Sequence, residues 1–155
     1  MKKTLISLIA AITLIISILT LTACSSSVTG KKYVFEDVEV AWGEDVDSAS
    51  ILSSKGKTES EYFEQLRGDL IGNGLTGYTY TFTEDGKMIT ANSNGLLNTS
   101  FYSQTDNTVN FFTDASLTKP SNVDDAMTVD GRRISYSQSN LADTGVVFTF
   151  IFIED

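Results

Sequence analysis

The chain has no histidine, one cysteine (Cys24), one proline (Pro120) and one tryptophan (Trp42). Without histidine the commonest general base, the His-dependent nucleophile triads and His metal ligands are all gone. One cysteine forms no intrachain disulfide, so packing alone must hold the fold. Basic residues are also scarce, with 11 Lys and Arg against 20 Asp and Glu and a net charge of −9. Such a surface repels phosphate backbones, and no nucleic-acid partner is expected. No Gly-rich phosphate loop occurs. The remaining route to catalysis is paired carboxylates across a cleft. The adjacent pairs Glu84-Asp85 and Asp124-Asp125 fall in predicted turns or loops, where acids are ordinarily solvated. Asp45-Val46-Asp47-Ser48 has the start of a calcium loop, but Ser50 and Gly56 stand where that loop requires glycine and glutamate. No enzyme activity, cofactor or metal is expected.

Long apolar runs are absent too, except at the start. Met1-Lys2-Lys3 is followed by an apolar stretch from Leu5 to Leu21 and then by Leu21-Thr22-Ala23-Cys24. A charged start, an apolar run of this length and small residues before a cleavage point read as a secretory signal. The small residues before a lone cysteine resemble a lipobox, the cleavage and acylation signal of bacterial lipoproteins. That resemblance implies removal of residues 1–23 and a diacylglyceryl group on Cys24, and places the protein on the extracytoplasmic side of a cell membrane. Two acyl chains give stable anchoring, at about 0.8 kcal/mol per buried CH₂. Residues 24–30 then read as a flexible tether reaching about 13–15 Å. The folded domain is expected over 31–155, and no membrane contact through its acidic surface is expected.

The domain reads as mainly β. A first strand runs over Tyr33-Val34-Phe35-Glu36-Asp37-Val38-Glu39-Val40, with Val34, Val38, Val40 and Trp42 in one parity. Residues 43–57 are polar and mixed, as in a loop. Thr58-Glu59-Ser60-Glu61 is a capping box. Tyr62, Phe63, Leu66, Leu70 and Ile71 follow at helical spacing. From Tyr78 the period changes from 3.6 to 2. Asp85-Gly86, Asn94-Gly95, Asp106-Asn107 and Asp130-Gly131 separate strands at 78–83, 87–91, 96–103, 108–112, 127–129 and 133–136. Residues 114–126 read as loop and 137–145 as a polar connection. About eight short strands with tight turns mark an antiparallel meander closing into an eight-stranded barrel or half-barrel, with one α-helix between the first and second strands.

The last strand, 146–153, is apolar on both faces. Phe148, Phe150 and Phe152 point one way, and Val147, Ile151 and Ile153 the other. An antiparallel strand usually wets one side, so the helical stripe is expected to pack outside this strand or its neighbours. Tyr80, Phe82, Phe111, Tyr136, Phe148 and Phe150 are the candidates to point inward, where they either fill the core or line a cavity for one small apolar ligand. A filled barrel would instead fit a protein-interaction module, an inhibitor or an accessory subunit of an envelope complex.

The entry strand after Gly30, the Phe82-Thr83-Glu84-Asp85-Gly86 hairpin, Tyr102 with Asp106-Asn107-Thr108-Val109, and Asp130-Gly131-Arg132-Arg133-Ile134 together resemble the small bacterial lipocalin-like domains of lipoproteins. The likeness covers roughly residues 30–153. It implies a barrel or half-barrel and, more faintly, ligand binding.

Overall fold

The computed structural model describes residues 26–122, 125–140 and 144–155. The expected signal peptide 1–23 and Cys24 lie outside the described residues. Eight antiparallel strands follow one another around a closed barrel: β1 (Lys32–Trp42), β2 (Thr79–Phe82), β3 (Lys87–Asn92), β4 (Gly95–Thr105), β5 (Thr108–Phe112), β6 (Met127–Asp130), β7 (Arg133–Asn140) and β8 (Val146–Glu154). β8 closes the ring on β1, from Tyr33↔Glu154 to Trp42↔Val146. In such a meander the connections alternate between two ends. Entry to β1, the turns at 83–86, 106–107 and 131–132, and the C-terminus share one, the entry end. The long β1–β2 connection and residues 93–94, 113–122, 125–126 and 144–145 belong to the other, the helical end. Asp85-Gly86, Asp106-Asn107 and Asp130-Gly131 all fall at the entry end. Their recurrence at a little over twenty residues is therefore one strand pair per repeat.

Two helices, not one, join β1 to β2. α1 (Ser48–Lys55) occupies the stretch expected as loop. Asp47 caps it by accepting from the Ser50 N–H, and Gly56 ends it with φ of 62°. Its signal is weak because only Ile51 and Leu52 reach the core. α2 (Glu59–Leu70) carries the full Thr58/Glu61 capping box. A wide turn, Ile71–Leu75, extends it until Gly74 takes a φ of 108°. β7 also runs further than its composition indicates. Residues 137–140, expected as a polar connection, pair with β8 as far as Asn140↔Val146.

A β-bulge breaks β1 between Phe35 and Asp37. The extra residue flips the alternation. Tyr33 and Phe35 share the inner face with Val38, Val40 and Trp42, while Val34 pairs with outward Ile153. The single parity expected for Val34, Val38, Val40 and Trp42 therefore does not hold.

α2 packs along β1, the neighbour of β8, and not over the outer face of β8 itself. β1 pairs with β2 only over Lys32–Val34, which leaves the later half of β1 without a strand on that side. α2 lies along this opening. Phe63 and Arg67 share a crevice with Val38 and Val40, and Tyr62 stacks on Trp42 at 5.8 Å. The stripe Tyr62, Phe63, Leu66, Leu70 and Ile71 packs against the inner core cluster. The Arg67 guanidinium donates twice to Asp37 Oδ1, at 2.9 and 2.7 Å, across the bulge. The outer face of β8 is sheltered by its neighbours instead. Ile151 is 6% exposed, pairs with Asp37 and Ser135, and shares a groove with Glu39, Thr149 and Arg133. Long charged side chains cover apolar surface with their stems in this way.

The tether expected over 24–30 is docked in its described part. Val28 is fully buried in the core cluster at the entry end. Its N–H donates to Gln104 Oε1 at 3.0 Å, and Gln104 Nε2 donates to the Ser26 carbonyl at 3.0 Å. The Gly30 N–H donates to the Phe82 carbonyl at 2.8 Å. A single valine among small polar residues carries no periodic signal.

Candidate functional site

The six inward candidates all point into the barrel. Tyr80, Phe82, Phe111, Phe148 and Phe150 are buried in the core, and Tyr136 is partly buried against it. They divide between the two ends. Toward the entry end, Phe82 meets Tyr102 edge-on at 5.0 Å, Tyr33 edge-on at 5.8 Å and Phe111 in a stack at 6.4 Å. These rings fill the interior. Tyr33 is fully buried there, and its hydroxyl has no hydrogen-bond partner among the described residues. Burial, then the nearby Glu154 charge, push its phenol up to about 12.

At the helical end the interior opens. β6 pairs with β7 only as far as Thr128↔Ser135, so the wall splits where β7 continues alone with β8. Tyr80 and Tyr136 line a recess of about 170 Å³ there, together with Tyr78, Thr90, Asn98, Asp125, Met127 and Gln138. Phe148 and Phe150 line an adjoining, shallower groove of about 550 Å³ with Leu70 of α2. Asp125 and Gln138 border both, and Gln138 Nε2 donates to Asp125 Oδ2 at 3.1 Å.

Tyr80 is at the centre of the recess floor. Its hydroxyl hydrogen-bonds with those of Tyr136 and Tyr78. Burial first, then these two neighbours, drive its phenol far above its ordinary value. At neutral pH Tyr80 is therefore an uncharged hydrogen-bonding group in the floor. Tyr136 also stacks on Phe150 at 4.9 Å, which joins this floor to the groove. The arrangement offers apolar rings, neutral hydroxyls and one carboxylate at the rim. It suits binding a small molecule with an apolar part and a polar head.

Sequence reasoning missed Tyr78, Thr90, Asn98, Asp125, Met127, Gln138 and Leu70 as recess or groove residues. Tyr78 and Thr90 were available from parity with Tyr80 and Met88. Gln138 was hidden by the reading of 137–145 as a connection. Among the described residues no cluster of three ligating carboxylate, histidine or cysteine side chains occurs. No described helix is long and apolar enough to cross a membrane.

No family model matches the chain, and no curated protein matches it. Among solved structures the chain is similar to a DUF4847 family protein from Bacteroides vulgatus ATCC 8482. The match has 14% identity, covers 78% of this chain and 91% of that chain, and has a TM-score of 0.39. The barrel assignment rests on this chain's own strand pairing.

Proposed function

We propose that the protein is a lipid-anchored, extracytoplasmic, non-enzymatic binding domain that takes a small amphipathic ligand in the recess and groove at its helical end. The anchor reading is supported by Leu21-Thr22-Ala23-Cys24 after the apolar run. The ligand reading is carried by one observation: the tyrosine-floored recess and the Phe148/Phe150 groove adjoin through Asp125 and Gln138. The recess by itself is small, about five or six waters at about 30 Å³ each. It falls below the roughly 300–1,000 Å³ of ordinary ligand pockets. The apolar part must therefore lie in the groove, with only the head in the recess. Asp125 and the acidic surface favour a neutral or cationic head. This narrows the small apolar ligand expected from the sequence to an amphipathic one, held at the mouth and not deep in a lipocalin-like barrel.

The test is a titration of the membrane-extracted full chain with matched short-chain amphiphiles bearing ammonium, hydroxyl or sulfate heads. The ammonium and hydroxyl probes bind, and Tyr136→Ala and Asp125→Asn weaken the ammonium probe. Equal binding of all three heads, or binding indifferent to both substitutions, refutes the site.

A second reading, surface recognition of an envelope protein, is favoured by Leu96 and Leu97, which stand 68% and 50% exposed beside the β3–β4 turn. Replacing both with Ser would abolish that recognition and leave the amphiphile titration unchanged.

A further inference from the structure

We propose that the entry end of the barrel is the face that rests on the bilayer, with the helical end and its recess turned away from it. This rests on the lipid anchor proposed above for Cys24, and adds the orientation the barrel imposes on that anchor.

The first support is the docked segment. The Ser26 carbonyl is held by Gln104, Val28 is buried in the entry end, and Gly30 is bonded to Phe82. Cys24 stands two residues before Ser26. A chain spans at most about 3.3–3.6 Å per residue, so an acylated Cys24 keeps Ser26 within about 7 Å of its own backbone and about 10 Å of the sulfur. A tether free to residue 30 would let the domain tumble. One that stops at residue 26 holds this end against the headgroups.

The second support is the charge distribution, which is independent of the first. The five basic residues at the entry end (Lys31, Lys32, Lys87, Arg132 and Arg133) face seven acidic ones at 36, 84, 85, 106, 130, 154 and 155, with Glu36 paired to Arg133 at 3.3 Å. Several are paired directly: Lys31 with Glu154 at 2.9 Å, Lys32 with Asp155 at 2.7 Å, and Lys87 with Asp85. The other described residues carry four basic and eleven acidic side chains. The less acidic end is the one nearest the anchor. A nine-residue strand such as β8, at 3.3 Å per residue and tilted about 40°, spans roughly 20–25 Å. The acidic end then lies more than two screening lengths of about 8 Å from an anionic surface. The inverted pose would press that charge against the headgroups. The upright pose also leaves the recess open to water.

The test uses full-length protein extracted from membranes and reconstituted into phosphatidylcholine–phosphatidylglycerol vesicles that carry a headgroup quencher. Single thiols are introduced at exposed positions, Glu84→Cys and Asn107→Cys at the entry end, and Ser60→Cys and Asn94→Cys at the helical end. Each is labelled with a fluorophore. Acylation of Cys24 keeps it from reacting, and intact mass reports that acylation separately. The entry-end labels are expected to be quenched several-fold more than the helical-end labels. Inserting about twenty Gly and Ser residues before Ser26, with a reach of about 25 Å, is expected to erase most of that contrast in high salt. Equal or reversed quenching on protein whose mass shows the acylated cysteine overturns the orientation, and full contrast with the long insert in high salt overturns the docked segment as its cause. A mass without lipid overturns the anchor itself, and the orientation with it.

Discussion

Replacing Tyr33 with Phe should stabilise the protein, by an amount that grows with pH. The Tyr33 hydroxyl is buried beside Phe82 without a partner among the described residues. Leaving such a group unsatisfied costs about 1–3 kcal/mol. Tyr33→Phe removes it and keeps the ring and its edge-to-face contact. Allowing for the contacts of one lost oxygen, the gain at pH 7 is about 1 kcal/mol, or roughly 3–5 °C in Tm for a domain of this size. The phenol adds a pH-dependent part. Its folded value is about 12, against an ordinary value of 10. Below pH 10 both states keep the proton and the phenol contributes nothing extra. Between 10 and 12 the unfolded state ionises first, so wild-type stability falls as pH rises, at about 1.36 kcal/mol per unit. The variant lacks this loss, and its advantage should roughly double, to about 2 kcal/mol, at pH 11. Urea unfolding followed by Trp42 emission at pH 7 and pH 11 measures both parts. A variant less stable than wild type at pH 7, or an advantage that does not change with pH, refutes the reasoning.

Gly145→Ala should cost about 2–4 kcal/mol in urea unfolding. Gly145 has φ of 72°, and a Cβ there would lie 2.7 Å from Ile51 Cδ1 and 2.9 Å from Val46 Cγ1, adding overpacking to left-handed strain. An unchanged midpoint would mean that α1 is not seated on the β7–β8 connection. Val28→Ala should cost about 2 kcal/mol and expose residues 26–30 to proteolysis, visible as early cleavage by mass spectrometry; a cleavage pattern matching wild type would count against docking. Thr58→Ala removes one half of the capping box and should cost about 1 kcal/mol, with no loss if α2 is held by packing alone. Asp37→Asn weakens the ion pair to Arg67, which is partly exposed, and should cost under about 1 kcal/mol. That cost should shrink in high salt; a salt-independent one would point to lost shape and not charge.

Much of the fold was legible because its signals are local. Asp85-Gly86, Asp106-Asn107 and Asp130-Gly131 placed three turns by their φ requirements. Threonine alternating with aromatics over 79–82 marked β2, and Thr58 with Glu61 marked the start of α2. What failed depended on partners far away in the chain. The Phe35–Asp37 bulge is visible only against Ile151. Residues 137–140 are polar, yet they become strand because β8 needs a neighbour. The 48–55 helix is short, and its packing comes through two side chains. All six inward aromatics were found by parity, but which of them border open space was not. That depends on where β1 leaves β2 and where β7 leaves β6, and strand lengths do not report it.

By itself the sequence determined an antiparallel up-and-down barrel, because alternation and turn chemistry act between near neighbours. It also determined that nothing here relies on histidine or disulfides. Only the tertiary structure decided that α2 fills the gap along β1, that Val28 seals the entry end, and that Tyr78, Tyr80 and Tyr136 meet under a recess. Those outcomes come from strands of unequal length closing on one another. Each gap exposes apolar surface, and whichever segment can reach it is buried there.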